Sequence, residues 1–249
     1  MSANWKSLVA SAAVAALVSV AVAFAMLHWS RATASSDRQI HSWLVAHPEV
    51  LFEMQAAYQR KSDQRDEQAL KESQAAVDRL GLKTFFDPRV AFVSGPANAR
   101  NSVVEFFDYN CAHCRNTFPA VMKFYEAHKA DTRFAFIELP IFGPASNNAA
   151  RSALAARRQP DKYVAFHFAL MSQRGAIDPA NTIDAAKQAG LDVNALMAAL
   201  KDPAVDVELN AAHALAERIK LDGTPLFIVN GKVHSGEIAL KELEQLTGH

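Results

Sequence analysis

The chain has no excess of either charge. Its 26 basic and 26 acidic side chains cancel. No Lys/Arg tract occurs either, which argues against a nucleic-acid-binding surface. Internal repeats and long low-complexity stretches are absent as well. Cysteine is scarcest of all, with two in 249 residues. They permit one disulfide at most, and both lie in one short segment, "FFDYNCAHCRNTF" (106–118). A bond closing so small a loop removes little chain entropy, so a structural staple is a weak reading. Half of the residues are hydrophobic, enough for one sizeable domain with additions.

What is present begins with "LVASAAVAALVSVAVAFAML" (8–27), twenty residues without a charge. As a helix such a run rises about 30 Å, the thickness of a bilayer core, and exceeds the usual apolar core of a cleaved signal. The expectation is a signal-anchor over residues 1–34, with cleavage after Ala34 of "ATA" (32–34) as the alternative. Either way it is an export device, and the rest of the chain is expected outside the cytosol.

Residues 35–87 are expected to be helical and sparsely apolar. Ile40, Trp43, Leu44, Leu51, Met54 and Tyr58 recur at helical spacing, and Leu70, Val77 and Leu80 resume the stripe. His47-Pro48-Glu49 is a break followed by a new helix start. So thin a stripe must pack on the main domain or on copies of itself; a solvated spacer is the bland alternative. The main domain is placed at 88–249. "SVVEFFDY" (102–109) fits a buried strand and "RFAFIELP" (133–140) a second, with a Pro119-kinked helix between them, making one βαβ unit with parallel strands. An Ala-rich helical block follows over about 146–220. "TPLFIVNGKVHSG" (224–236) then returns to strand with Asn230-Gly231 as a hairpin turn, and "EIALKELEQL" closes the chain. This order describes an α/β domain with a small mixed sheet and a helical insertion.

Cys111 follows a strand and opens a helix, where unpaired N–H groups and the positive helix pole favour thiolate. His113 inside the loop is expected to stabilise that thiolate. Cys114, one turn on, is placed to resolve a mixed disulfide formed by Cys111. Glu105 lies in an apolar strand, where a carboxylate is costly without a task; relay of a proton to or from Cys114 is one, and a solvent-facing strand end is the plain alternative. Thr224-Pro225 suggests a cis bond presenting backbone to an incoming peptide, against a trans proline starting a strand. One cysteine pair and scattered histidines do not make a four-ligand zinc site. Cu(I) binding by the two thiols stays open, but no metal site and no cofactor are expected.

"FFDYNCAHCRNTFP", "ELPIFGPASNNAARSALAA" and "GTPLFIVNGKVHSGEI" resemble, in order and spacing, the DsbA-like branch of the thioredoxin superfamily over about 85–249. The resemblance implies a thioredoxin fold with a helical insertion, Cys111 as nucleophile, Cys114 as resolving thiol, and Thr224-Pro225 as the cis-proline loop. It also matches Pro119 to the helix-kinking proline and Glu105 to the buried acid. "IHSWLVAHPEVLFEMQAAYQRK" (40–61) resembles the N-terminal helical segment of ScsC-type proteins (suppressors of copper sensitivity), which in some members assembles oligomers that act as isomerases. Ala-His between the cysteines and Thr before the proline depart from the best-known oxidase pattern.

The expected activity is thiol–disulfide exchange with cysteine-containing proteins in the bacterial periplasm or cell envelope, isomerase or reductase slightly favoured. A membrane redox partner, either a reductase or a quinone-linked oxidase, and a homo-oligomer assembled through 35–83 are implied. The alternatives are a monomeric DsbA-type oxidase and a Cu(I)-binding thiol module without turnover.

Overall fold

The computed structural model describes residues 5–249, without the side chains of 5–13, 27–36 and 38. The chain divides into two compact units, Met1–Gln64 and Arg65–His249. In the first, α1 (Trp5–Ala46) is followed by the start of α2 (Glu49–Leu80). The break falls at His47-Pro48, where proline lacks the N–H and disfavours helix in the residue before it. His47 closes α1, with Nδ1 2.8 Å from the Trp43 carbonyl and its ring stacked on Trp43 at 4.5 Å. Ile40, Trp43, Leu44, Leu51, Met54 and Tyr58 are all exposed.

The membrane-spanning helix expected over 8–27 is not supported. Among the described residues no helix is long and apolar enough to cross a membrane. The ends of that stretch, 8–13 and 27, and the "ATA" at 32–34 lie outside the residues whose side chains are described.

The second unit is built on a five-stranded sheet of order β1-β3-β2-β4-β5. Its strands are β1 (Phe92–Ser94), β2 (Asn101–Phe107), β3 (Thr132–Glu138), β4 (Leu226–Val229) and β5 (Lys232–Ser235). β2 and β3 run parallel, joined through α3 (Ala112–His128) as the βαβ reading required. β4 lies antiparallel to β2, and β5 to β4. Asn230 and Gly231 make the hairpin turn at positive φ, the conformation that two-residue hairpins demand. The short strand β1, antiparallel to β3, went unread because three residues hold no period.

Five helices, α4 (Pro144–Ala156), α5 (Pro160–Met171), α6 (Pro179–Gln188), α7 (Val193–Ala199) and α8 (Ala204–Arg218), make the insertion, and α9 (Leu240–Thr247) closes the chain. The central strand β2 is buried throughout. Its alternate residues serve two cores. Val103 and Phe107 join α3 and the insertion helices. Val104 and Phe106 join Ala76 and Val77 of α2, Phe85, and Leu215 and Ile219 at the end of α8. The later half of α2 also covers the exposed sheet edge: Gln74 Nε2 donates to the Gly231 carbonyl and its Oε1 accepts from Val233 N–H, both at 2.9 Å.

Candidate active site

Cys111 is the N-cap of α3, in extended conformation (φ −74°, ψ 123°). This brings its sulfur to the helix end where N–H groups lack intrahelical partners. The thiol is pushed down to about 5. The largest cause is a hydrogen bond from Cys114, offset by burial; the Thr224 hydroxyl and the backbone N–H groups of Cys114 and His113 add to the lowering. The Thr224 carbonyl accepts from the Cys111 S–H at 3.2 Å, and the Thr224 hydroxyl is buried without a hydrogen-bond partner among the described residues. The Thr224–Pro225 bond is cis. Both thiols are free and buried. Burial, followed by the neighbouring Cys111, pushes Cys114 well above the ordinary thiol range.

His113 gives this sulfur a backbone N–H, and its ring pairs with a carboxylate while also feeling the Cys111 charge. Nδ1 lies 2.7 Å from Glu237 Oε1, and that carboxylate raises the imidazole pKa. Asn116 Nδ2 donates to the same oxygen at 3.0 Å. Glu237 is fixed in place by its neighbour: Ile238 N–H donates to Thr117 Oγ1 at 3.0 Å, and that hydroxyl donates to the Ile238 carbonyl at 2.6 Å. Glu237→Gln is therefore expected to return the His113 titration, followed by proton NMR, toward its ordinary value. An unchanged midpoint would show that the pair is not formed in solution.

Glu105 is buried in β2, paired with Phe136 and Phe227 on its neighbouring strands. It faces the same side as Val103 and Phe107, the side of the core that holds both cysteines. Burial raises its carboxyl to about 8, and its Oε2 has no hydrogen-bond partner among the described residues. The plain solvent-facing reading of this glutamate therefore does not hold.

Several residues of the site went unread in the sequence. Asp108 is buried and organises the turn before Cys111. Its Oδ1 accepts from Asn110 N–H at 2.7 Å, and its Oδ2 from Ile141 and Phe142 N–H at 2.8 and 3.2 Å. An aspartate ending an apolar strand two residues before an asparagine is the available signal for such an Asx turn. Arg115 ties the same turn to the insertion, with Nε donating to Tyr109 O at 2.7 Å and Nη1 to Gly175 O. Asn110 Oδ1 accepts from Ile177 N–H at 2.8 Å. Deeper in the same core, Tyr109 OH lies 3.0 Å from His167 Nδ1. Burial, aided by Arg157, holds His167 neutral with a pKa near 3. Arg157 and Glu138 form a buried ion pair, to which Tyr163 OH adds a 2.6 Å hydrogen bond.

The arrangement presents one sulfur readily ionised at a helix N-terminus and a second held as thiol beside it. A thiolate of this kind attacks disulfides, and it also leaves readily from one.

Known proteins share this frame. A thioredoxin-like oxidoreductase from Silicibacter pomeroyi superposes with a TM-score of 0.61 at 36% identity, covering 68% of this chain and 96% of its own. The thiol-disulfide exchange protein alpha-DsbA2 from Wolbachia pipientis gives 0.64 at 27% identity, covering 71% and 94%. ScsC from Proteus mirabilis, at 24% identity, gives 0.61 over 86% of this chain and 92% of that one, a likeness of fold. In sequence the chain is 30% identical over 166 residues to Na(+)/H(+) antiporter NhaA 1 of Salinispora arenicola, covering 66% of this chain and 25% of that protein. It thus spans about a quarter of the length of the curated relatives it matches. Residues 102–247 match the DSBA-like thioredoxin domain, and with that match the chain belongs to the DsbA-like thioredoxin-domain family.

Proposed function

We propose that this chain is a thiol–disulfide oxidoreductase acting on cysteine-containing proteins outside the cytosol, in the bacterial periplasm or envelope. The observation that carries the reading is the division between two sulfurs one helical turn apart, Cys111 readily ionised and Cys114 held as a thiol. In the proposed reduction, the Cys111 thiolate attacks a client disulfide, whose S–S bond breaks to release one client thiolate. Cys114 then gives up its proton and attacks Cys111, displacing the second client thiolate and leaving a Cys111–Cys114 disulfide. The reverse sequence oxidises a client dithiol. When a client thiol attacks the mixed disulfide instead, the client is isomerised and the protein returns reduced. Glu105 is assigned the proton exchange with Cys114, through water, because it lies on the same core face and titrates near neutrality. The loop at Thr224 and Pro225 is assigned contact with the client backbone.

Isomerase or reductase turnover is favoured by the Thr that precedes Pro225 and by the exposed stripe at Ile40, Trp43, Leu44, Leu51, Met54 and Tyr58. Assembly of several copies through 35–83 would bury that stripe and face several sites toward one client. A membrane reductant would keep Cys111 reduced. A second reading, a monomeric oxidase recharged by a quinone-linked partner, is favoured by the depressed Cys111 thiol, which destabilises its disulfide. Scrambled ribonuclease in a mildly reducing glutathione buffer separates them. Recovery of ribonuclease activity that Cys111→Ser abolishes is the isomerase result. Rapid oxidation of reduced ribonuclease without recovery of the scrambled form is the oxidase result. No effect on either substrate, together with tight one-to-one Cu(I) binding, would overturn both and leave a copper-binding thiol module.

A further inference from the structure

α3 has a second end. Its last residue, His128, lies about 24 Å along the helix from the cysteines at a rise of 1.5 Å per residue. Three residues beyond it comes Asp131, and the end of the chain brings in His249 after α9. One ligand atom from each of these three residues lies within 4.8 Å of the other two. We propose that His128, Asp131 and His249 bind a divalent transition-metal ion of the Zn²⁺ or Cu²⁺ class.

The spacing is the first argument. Asp131 Oδ1 lies 3.8 Å from His128 Nδ1 and 3.7 Å from His249 Nε2, too long for hydrogen bonds. Ligand atoms around a tetrahedral ion with bonds near 2.0–2.2 Å stand about 3.3–3.6 Å apart. One carboxylate oxygen thus sits within a few tenths of an ångström of ligand spacing from both imidazole nitrogens. The two rings are stacked, with centroids 3.9 Å apart and planes 19° apart. In this stacked arrangement the in-plane lone pairs run nearly parallel, so joint ligation requires the His128 ring to turn about its soft χ2.

The state of His249 is the second. Ser102 N–H donates to Asn230 Oδ1 at 2.8 Å, which fixes that amide by a backbone donor. Asn230 Nδ2 therefore donates to Asn101 Oδ1 at 3.1 Å, and Asn101 Nδ2 is left to donate to His249 Nε2 at 3.1 Å. Nε2 is accordingly the unprotonated nitrogen, and an ion bound there would take over the lone pair that now accepts from Asn101. Thr132 Oγ1 donates to Asp131 Oδ1 at 3.1 Å and steadies the carboxylate. The carbonyl end of α3 adds a field that favours a cation. Two imidazoles and a carboxylate suit zinc and copper better than the oxygen-seeking Mg²⁺ or Ca²⁺.

The test uses the untagged full chain oxidised to its Cys111–Cys114 disulfide, so that thiols do not compete, titrated with ZnCl₂ by calorimetry. One ion per chain is expected, with affinity falling at least about tenfold in His249→Ala and in His128→Ala, since loss of even an outer-shell partner costs about 10–100-fold. No binding by the wild type, or affinity unchanged in both variants, would overturn the site. Should His128→Ala fail to fold, Cu²⁺ electron paramagnetic resonance decides on the wild type and His249→Ala alone. Coupling to two imidazole nitrogens that falls to one is the expected spectrum, and an unchanged spectrum refutes the assignment.

Discussion

Replacing Cys111 by serine abolishes disulfide exchange, with an expected loss of at least about 10³-fold, because a serine hydroxyl neither ionises near neutrality nor leaves from a disulfide. Cys114→Ser has a different signature: the first attack survives and a mixed disulfide with the client accumulates. The pH dependence carries the finer test. With a thiol near 5, Cys111 is almost wholly thiolate at pH 7, whereas an ordinary thiol near 8.5 is ionised to about 3%. That advantage of roughly 30-fold is nearly cancelled by the lower nucleophilicity of a weakly basic thiolate, at a Brønsted slope of about 0.4–0.5. The depressed pKa therefore gains little for attack at neutral pH. It extends attack to acid and makes Cys111 the better leaving group. Alkylation of the reduced protein by iodoacetamide should follow a single ionisation with midpoint near 5, with Cys114 unreactive. A midpoint between 8 and 9 would show that Cys114, Thr224 and the helix N-terminus do not stabilise the thiolate.

Glu105→Gln should raise stability at and above neutral pH and slow the resolving step. The folded carboxyl titrates near 8 and the free group near 4.5. A raised folded pKa means that the unfolded chain releases its proton first, so stability present below about pH 4.5 is lost as pH rises toward 8. At about 1.36 kcal/mol per pKa unit, the loss is about 4–5 kcal/mol across that window. Glutamine cannot ionise, so urea denaturation of Glu105→Gln should show a much flatter dependence between pH 5 and 8. Accumulation of the mixed disulfide in the variant, measured by quenched gel analysis, reports the proposed proton exchange with Cys114. Identical pH slopes in the two proteins would place the charge of Glu105 in water rather than in the core.

The helix break at Pro48, the parallel βαβ unit and the hairpin at Asn230-Gly231 were legible because each is set by local chemistry: a missing N–H, an apolar period, a positive φ. The same holds for the cysteine pair, whose position between strand and helix already placed one sulfur at a helix N-terminus. β1 was not legible, since its three residues acquire strand form only by pairing with β3. Nor was the partner of His113. The sequence placed His113 beside the thiolate, and only the fold shows that Glu237, 124 residues away, pairs with its ring.

What the sequence by itself determined, then, is the family and the place of the two sulfurs at a helix N-terminus, because motif spacing and helix-end electrostatics act within a few residues. Tertiary structure alone decided which charges are buried and which distant side chains meet. Glu105 titrates near 8 because a two-sided sheet surrounds it. Arg157 meets Glu138, and His128 meets His249, because the chain returns through the insertion and α9. Burial and long-range proximity are properties of the packed chain, and no local pattern encodes them.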